Sequence, residues 1–441
     1  MFVGAQIVES EPLVFIGLCD LAGLVRGKGF PQTELSQRLR EGVGLAPSNI
    51  MMSPFGPILD TPYGTEGDLM LVPDTSTLVE AEFEGSAAER FYLGDIMTIS
   101  GQYWDCCPRH FLRRALETLE RETRLTLVAA FEQEFTYTGV EDRPGATYSL
   151  DAWRRQGRFG EALIAALRTA GLVPDTFLPE YGPRQYEMTI APARGLRAAD
   201  EAVISRELAR GVAYRLGHRA SFAPILDPDG IGNGTHIHFS LRDNTEKPAL
   251  YDSDAPRRIA KGPGEQFVAG VLDNLPLLTA ITAPSAASYF RLQPDRWAPT
   301  WANIGVQDRG ASLRVCPIFG PPAAHNFNIE YRVADATASP YLALGALVWA
   351  GLDGIRRSLT LPPESERNFW AMSDAERREA GFKPLPRSLG ESLALLAQSK
   401  AAREWFGEEF FECYVRFKRA ELRAVEGLNP ADICAKYGEI Y

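Results

Sequence analysis

Side chains that alternate between two faces along four segments of the chain predict β-strands with one polar face. The segments are residues 131–135, which continue a largely apolar run over 125–130, and residues 185–190, 235–241 and 326–333. The polar faces carry mainly carboxylate, imidazole, amide and guanidinium groups, namely Glu132, Glu134, Glu187, His236, His238, Ser240, Asn326, Asn328, Glu330 and Arg332. These side chains indicate a binding site, although amphipathic strands with one face in water show the same alternation.

Apolar residues spaced three and four positions apart predict helices in much of the remaining chain. The predicted helices are 109–123, 159–170, 199–218, 264–281, 340–358, 388–400 and 408–425. Strand-like patterning also marks residues 13–30 and 79–99, and a boundary is expected near 101–108. The fold class is therefore α+β, with a small β-rich domain of residues 1–104 and a large domain of residues 105–441.

The adjacent carboxylates of Glu132 and Glu134 are the first indication of chemistry. Two such charges about 4 Å apart repel by roughly 4 kcal/mol at an effective dielectric constant near 20, so a cation is expected beside them. Imidazole and carboxylate groups are ligands that suit Mg²⁺ or Mn²⁺. Five glutamates at positions 132, 134, 180, 187 and 330 carry five negative charges. Two divalent ions would nearly neutralise them.

Composition narrows the class of protein. The chain has 441 residues, of which 45% are hydrophobic and 23% charged, as expected for a globular protein. A net charge of −11 argues against a nucleic-acid partner. We expect no membrane partner, because no apolar run is long enough to span a bilayer. The start of the chain lacks a signal-peptide pattern, and six scattered cysteines favour free thiols, so the expected location is the cytoplasm.

Five segments, taken in order, resemble glutamine synthetases and their relatives. They are residues 131–135, 180–187, 232–238, 288–292 and 329–332. The resemblance implies an N-terminal β-grasp domain and a C-terminal catalytic domain built on an antiparallel, barrel-like sheet flanked by helices. It also implies a ring-shaped homo-oligomer, typically a dodecamer, with each active site between neighbouring subunits.

The resemblance also assigns roles to individual residues. It implies one metal ion held by Glu134, Glu180 and Glu187, and a second held by Glu132, His236 and Glu330. The remaining assignments are His238, Ser240, Arg309 and Arg314 for ATP, Gly232, Arg291 and Arg332 for the acid substrate, and Arg309, Arg332 and Asp68 for catalysis. For Arg309, Arg314 and Arg332, surface or interface pairing is the alternative reading.

Departures from the family pattern concern the amine. Glutamine synthetases have an acidic residue on the flap over the ammonium pocket, where this chain has Trp297. A second acidic position, normally supplied by a neighbouring subunit, falls in residues 45–49, which contain no acid. Asp68 remains at the other N-terminal acidic position. Ammonium needs negative charge to leave water, so Trp297 and the missing acid in residues 45–49 predict an organic amine, either alkyl or aromatic. Trp297 and Asp68 are the residues expected at the amine pocket.

The expected activity is an ATP-dependent ligase that joins the γ-carboxylate of L-glutamate to an organic amine through a γ-glutamyl phosphate. Ile231 replaces an asparagine that usually precedes Gly232, which leaves the recognition of the glutamate amino group open. The alternatives are a glutamine synthetase that uses ammonia, and a non-catalytic structural relative. A guanidino kinase, which has a similar catalytic scaffold, is disfavoured by the β-grasp-like N-terminal segment.

Overall fold

The computed structural model describes residues 10–58, 61–363 and 369–441. The N-terminal strands are β1 (Leu13–Cys19), β2 (Val25–Pro31), β3 (Val43–Leu45), β4 (Met52–Ser53), β5 (Gly56–Pro57), β6 (Leu69–Pro73), β7 (Val79–Ala81) and β8 (Glu89–Thr98). The later strands are β9 (Leu125–Tyr137), β10 (Pro174–Pro179), β11 (Gln185–Ile190), β12 (Ala193–Arg194), β13 (Ala220–Ser221), β14 (Thr235–Asp243), β15 (Trp301–Ala302), β16 (Ile304–Val306), β17 (Leu313–Val315), β18 (Ile329–Tyr331) and β19 (Lys383–Pro384).

Helices surround these strands. They are α1 (Leu35–Glu41), α2 (Pro108–Thr123), α3 (Leu150–Arg155), α4 (Arg158–Thr169), α5 (Leu196–Arg215), α6 (Pro263–Asp273), α7 (Leu275–Thr282), α8 (Ser288–Arg291), α9 (Ala323–Asn326), α10 (Pro340–Arg356), α11 (Asp374–Glu379), α12 (Leu389–Gln398), α13 (Lys400–Phe406), α14 (Glu408–Arg423) and α15 (Pro430–Gly438). Among the described residues, no helix combines the length and apolarity needed to cross a bilayer.

Two sheets organise the chain. The N-terminal sheet has the order β2-β1-β8-β6-β3, with β7 also paired to β8. The second sheet has the order β10-β11-β9-β14-β18-β17-β16, with β12 and β13 also paired to β9. Its pairs are antiparallel apart from β16–β17, which is parallel. The predicted α+β class, with its two differently built sheets, is confirmed. The division after residue 104 stays a prediction.

The core beneath the second sheet is built around α10, which is buried over most of its length because it is apolar on nearly every side. Glycines allow α6 to approach it closely. A Cβ atom on Gly354 would lie 2.1 Å from the carbonyl oxygen of Gln266, and one on Gly270 would lie 2.2 Å from that of Ala350. Larger residues at these two positions would force the helices apart.

Two predicted elements differ from the structure. The helix expected over 264–281 is divided into α6 and α7 at Asn274, because Pro276 cannot donate a backbone hydrogen bond and its ring clashes with the preceding turn. The strand expected over 326–333 is limited to β18. Asn326 lies at the end of α9 instead, where its side-chain amide donates to the carbonyl oxygens of Phe319 and Gly320.

Arg109 on α2 links the N-terminal sheet to the helices. It is 1% exposed and donates to Asp200 on α5 through two nitrogens, at 3.0 and 2.9 Å. It also donates to Asp95 on β8 at 2.6 Å and to Asp74 at 2.8 Å. One buried cation therefore serves three carboxylates drawn from separate parts of the chain.

Replacing Arg109 with methionine is expected to reduce the free energy of unfolding by about 3–5 kcal/mol, because it leaves buried carboxylates without their counter-charge. Thermal and denaturant unfolding would measure the change. The matched control is Arg121→Met on the same helix, where the side chain is 67% exposed and lies 3.6 Å from Glu122. A similar loss in both variants would contradict the role assigned to Arg109.

Candidate active site

The strand register brings the charged residues of the second sheet together on one face. Glu187 on β11 is directly opposite Glu134 on β9, and His236 on β14 is directly opposite Glu132. Side chains opposite each other on neighbouring antiparallel strands share a face and lie close together. On β18, Glu330 is opposite His238. The alternation predicted from the sequence is therefore confirmed for these positions.

Glu132, His236 and Glu330 form a compact group whose potential ligand atoms all lie within 4.8 Å of one another. His236 Nδ1 lies 3.6 Å from Glu132 Oε2 and 3.4 Å from Glu330 Oε1. Its other nitrogen, Nε2, lies 3.8 Å from Glu134 Oε1. His236 thus lies between the two sets of glutamates that the family resemblance assigns to separate metal ions.

The second set lies beside it. Glu134, Glu180 and Glu187 line one cavity together with His236. Glu134 Oε2 accepts hydrogen bonds from the backbone nitrogen of Gly234 at 2.8 Å and from the Gln185 side chain at 3.2 Å. Gln185 is held in turn by Gly232 and Asn233. These polar neighbours orient Glu134 but add no positive charge.

The raised pKa values of two glutamates are consistent with little cationic charge around this part of the cluster. Burial, reinforced by the charge of Glu132, raises the pKa of Glu187 far above its usual range. Burial and the charge of Glu134 also raise the pKa of Glu180. Both carboxyls are crowded by like charges, so an added cation would be strongly favoured there.

In the other half of the cluster, the pKa values of Glu132 and Glu330 are lowered. Burial opposes ionisation of Glu132, but hydrogen bonds with His236 and His238 hold its pKa well below its usual range. Burial likewise opposes ionisation of Glu330, yet His236 and Arg332 lower its pKa to about 2. Arg314 donates to Glu330 Oε2 at 2.7 Å, and Arg332 donates to Oε1. Glu330 is therefore a fixed anion between two arginines.

Both ring nitrogens of His238 have polar partners in this arrangement. Its Nε2 lies 2.9 Å from Glu132 Oε2 and its Nδ1 lies 2.9 Å from Asn328 Oδ1, so each ring nitrogen faces an acceptor. Burial lowers the pKa of His238, but contacts with Cys316 and Glu132 outweigh burial and raise it well above the usual value.

Two cavities meet at this cluster. The first, here called the acidic cavity, has a volume of about 820 Å³ and includes Glu134, Glu180, Glu187 and His236 in its lining. The second, here called the strand-floor cavity, has a volume of about 540 Å³ and includes Glu132, His238 and Ser240. Because Glu132 and His236 are direct strand partners, the two cavities are adjacent across them.

The predicted acid-binding residues lie at the acidic cavity. Gly232, Arg291 and Arg332 all line it. A Cβ atom on Gly232 would lie 2.5 Å from Arg291 Cγ, so glycine is required for this approach. Arg291 donates to the carbonyl oxygens of Val333 and Ala334, while its Nε and that of Arg332 are buried without a hydrogen-bond partner. Unsatisfied guanidinium donors beside a cavity are suited to an anionic ligand.

An aromatic wall borders the same cavity. Trp297 is stacked on Tyr181, with ring centroids 5.6 Å apart, and Tyr181 meets Tyr148 edge-on at 5.5 Å. The Tyr148 hydroxyl donates to Glu180 Oε1 at 2.9 Å. Trp297 is 62% exposed, and all three residues line the cavity.

Sequence reasoning identified Trp297 but missed Tyr148, Tyr181 and Gln185 as site residues. Tyr181 directly follows Glu180, and this adjacency was an available signal. Gln185 also lies within the segment 180–187, which resembles the family pattern. Tyr148 offered none, because it reaches Glu180 from a loop 32 positions earlier in the chain.

The structure places the three remaining predicted residues, Arg309, Arg314 and Asp68, in different surroundings. Arg309 lines the acidic cavity, whereas Arg314 is buried against Glu330. Asp68 is exposed immediately before β6, and it does not line either cavity in the described part of this chain. The roles assigned to these residues stay predictions.

The donor set fits a hard divalent cation. Carboxylate oxygens predominate, one imidazole contributes, and each carboxylate oxygen has lone pairs beyond those used by its present partners. The raised pKa values of Glu180 and Glu187 indicate that the pocket lacks positive charge. Both predicted metal sets therefore have suitable chemistry.

Comparisons with known proteins agree with this geometry. Residues 3–104 match the family described as glutamine synthetase N-terminal domain, and residues 105–433 match glutamine synthetase, catalytic domain. A gamma-glutamylpolyamine synthetase, GlnA3, of Streptomyces coelicolor is 33% identical over 436 residues, covering 96% of this chain and 92% of the relative. A glutamine synthetase of Thermococcus kodakarensis is 29% identical over 438 residues, covering 97% and 94%.

A solved structure described as a novel glutamine synthase homolog is similar throughout. It is 38% identical, with a TM-score of 0.91, and the match covers 99% of this chain and 100% of that one. Glutamine synthetase family enzymes use ATP and divalent metal ions, in keeping with the acidic cluster described above. The chain therefore belongs to the glutamine synthetase family and is an ATP-dependent ligase.

Proposed function

We propose that this enzyme joins the γ-carboxylate of L-glutamate to an organic amine and releases ADP and phosphate. The observation that carries this proposal is the Trp297–Tyr181 stack at the edge of the acidic cavity. Aromatic faces attract both apolar substituents and protonated amines. The relative named gamma-glutamylpolyamine synthetase supports an amine larger than ammonia.

We assign the substrates of this reaction to the two cavities. ATP would occupy the strand-floor cavity, beside His238 and Ser240, while glutamate and the amine would occupy the acidic cavity. The γ-carboxylate attacks the terminal phosphorus of ATP, and ADP leaves. The neutral amine then attacks the acyl carbon, phosphate leaves, and the nitrogen loses a proton. Both steps require the reacting groups to meet at the Glu132–His236 boundary, where the cavities adjoin.

Specific residues support each part of this scheme. We assign one metal site to Glu134, Glu180 and Glu187, and the other to Glu132, His236 and Glu330. Divalent ions, Mg²⁺ or Mn²⁺, would neutralise charge on the transferring phosphoryl group. Arg291 and Arg332 would bind the carboxylates of glutamate, and Arg309 and Arg314 would offset phosphate charge.

Recognition of the amine is assigned to the aromatic wall. Trp297, Tyr181 and the half-exposed Ile231 give the cavity apolar surface, while Glu180 offers a carboxylate for an ammonium group before deprotonation. Ammonia has no substituent that could use this apolar surface. The wall therefore favours alkyl or aromatic amines.

We further propose that the chain assembles into a ring of subunits, with a dodecamer as the expected form. Asp68 is exposed immediately before β6 and lines neither cavity in the described part of its own chain. In a ring, it would reach the amine pocket of a neighbouring subunit. The N-terminal region of residues 1–104 would then complete the site next to it.

A panel of amines tests the proposed substrate. Phosphate release would be measured with L-glutamate, ATP and Mg²⁺ against ammonia, small alkyl amines, aniline-type amines and polyamines. At least one organic amine is expected to exceed ammonia in kcat/KM by about tenfold, which corresponds to about 1.4 kcal/mol. If ammonia equals or exceeds every organic amine, the enzyme is a glutamine synthetase in the strict sense.

Replacing Glu330 with glutamine tests the metal assignment. The side chain keeps its shape but loses the charge, so turnover is expected to fall by about a hundredfold or more while the oligomer remains intact. Phosphate release and size-exclusion chromatography would measure these two properties. The exposed Glu426→Gln is the control. Near-normal turnover in the Glu330 variant would refute the assignment. Glu330→Ala is expected to reduce turnover further, because it also leaves Arg314 and Arg332 without their carboxylate partner.

Replacing Trp297 with glutamate tests amine selectivity. The added carboxylate should favour ammonium and oppose apolar substituents, so the ratio of kcat/KM for ammonia to that for the preferred organic amine should rise by about tenfold or more. The KM for ATP should remain unchanged. Trp153→Glu is the control, because Trp153 is also exposed but does not line the cavity. An unchanged ratio in the Trp297 variant would remove Trp297 from amine recognition.

A further inference from the structure

The loop that carries Arg309 separates the acidic cavity from a third cavity. Arg309 lines the acidic cavity, whereas Val306 and Asp308 line a cavity of about 680 Å³, here called the outer cavity. The loop connects β16 to β17, and within it Asp308 Oδ1 accepts a hydrogen bond from the backbone nitrogen of Gly310 at 2.9 Å. A displacement on the outer side of this loop would therefore move Arg309 on the inner side.

The guanidinium of Arg309 is not held by side-chain partners. With the residues that the structure describes, it forms no hydrogen bond or ion pair, and the side chain is exposed. Arg314 and Arg332 are by contrast held against Glu330. The location of the Arg309 charge therefore depends on the backbone of its loop.

Trp370 contacts this loop from the outer side. Its ring nitrogen Nε1 donates to Asp308 Oδ2 at 2.9 Å. Its ring also lies against the backbone at Gly310, where a Cβ atom would be only 2.4 Å from Trp370 Cζ2. One side chain thus holds both the residue before Arg309 and the residue after it.

Trp370 belongs to a segment, here called the outer segment, that covers residues 369–385. Within this segment β19 pairs with β15, which comes just before β16 in the chain. Beside Trp370, Phe369 packs edge-on against Phe382 with ring centroids 5.0 Å apart. Trp370 itself is 49% exposed, so burial in a core does not account for its position.

We propose that Trp370 is a positioning residue that fixes the guanidinium of Arg309 at the acidic cavity during phosphoryl transfer. The inference rests on the proposed function, in which Arg309 offsets phosphate charge, but not on which amine is used. Charge on the transferring group is stabilised best by groups already in place, and a displacement of about 1 Å can reduce turnover by up to about a hundredfold. In the described part of the chain, Trp370 lines neither substrate cavity. Its loss should therefore lower kcat and leave the KM values for ATP and the acid nearly unchanged.

Replacing Trp370 with phenylalanine tests this role, because it removes the N–H donor and keeps a ring against Gly310. Phosphate release would be measured with L-glutamate, ATP, Mg²⁺ and the fastest amine of the panel, ammonia included. The kcat is expected to fall about tenfold, with each KM within about twofold of its original value. The unfolding temperature and the elution volume in size-exclusion chromatography should not change. Trp153→Phe is the matched control, since Trp153 is 43% exposed and its ring nitrogen donates to no residue that the structure describes.

A second substitution separates the positioning of Arg309 from general support of the fold. Arg309→Ala is expected to lower kcat about a hundredfold. Adding Trp370→Phe to it should cause no further fall, because the guanidinium through which the tryptophan acts has been removed.

Two outcomes would overturn the inference alone. One is an unchanged kcat in Trp370→Phe, and the other is an equal tenfold fall in both backgrounds, which would mean that Trp370 acts independently of Arg309. Full turnover in Arg309→Ala would instead refute the role of Arg309 in the proposed function and overturn the inference with it.

Discussion

Crowding of like charges on one face of a sheet is the constraint on which this site depends. Glu134 and Glu187 are direct strand partners, Glu132 is two residues from Glu134, and Glu330 lies across His236 from Glu132. The chain neutralises only part of this charge. Two arginines and two histidines serve Glu132 and Glu330, whereas Glu180 and Glu187 have mainly other carboxyls around them. This asymmetry gives the face a strong preference for added cations and, with them, for phosphate groups.

The same face would separate the substrates of the proposed reaction. Strand pairing sets His236 toward the acidic cavity and Glu132 toward the strand-floor cavity, although the two residues are opposite one another. A nucleotide and an acid that entered from the two sides would meet only at this boundary. Positioning of this kind accounts for much of the rate enhancement in phosphoryl transfer, since the protein contributes little covalent chemistry.

Sequence patterns predicted the parts of this arrangement that depend on strand periodicity. Because side chains alternate strictly along a strand, the shared faces of Glu132 with Glu134 and of His236 with His238 followed from spacing alone. Periodicity failed where local side chains compete with regular structure, as with Asn326 at the end of α9 and Pro276 in the first turn of α7. It gave no indication of Tyr148, which reaches Glu180 from a loop. The position of Asp68 in an assembly depends on a second chain, which one sequence does not describe.

The proposed amine selectivity would rest on loops and turns rather than on the sheet. Trp297 has a backbone φ of 56°, a left-handed conformation that is costly for a bulky residue. The neighbouring Arg296 offsets this cost, because its guanidinium donates to the carbonyl oxygens of Pro228, Gly230 and Phe290. The turn that carries Trp297 is thereby tied to the loop that carries Ile231. Two apolar surfaces of the cavity are therefore fixed by one side chain. In the proposed reaction, amine recognition would then depend on these loops, and phosphorylation of the acid would depend on the acidic strands.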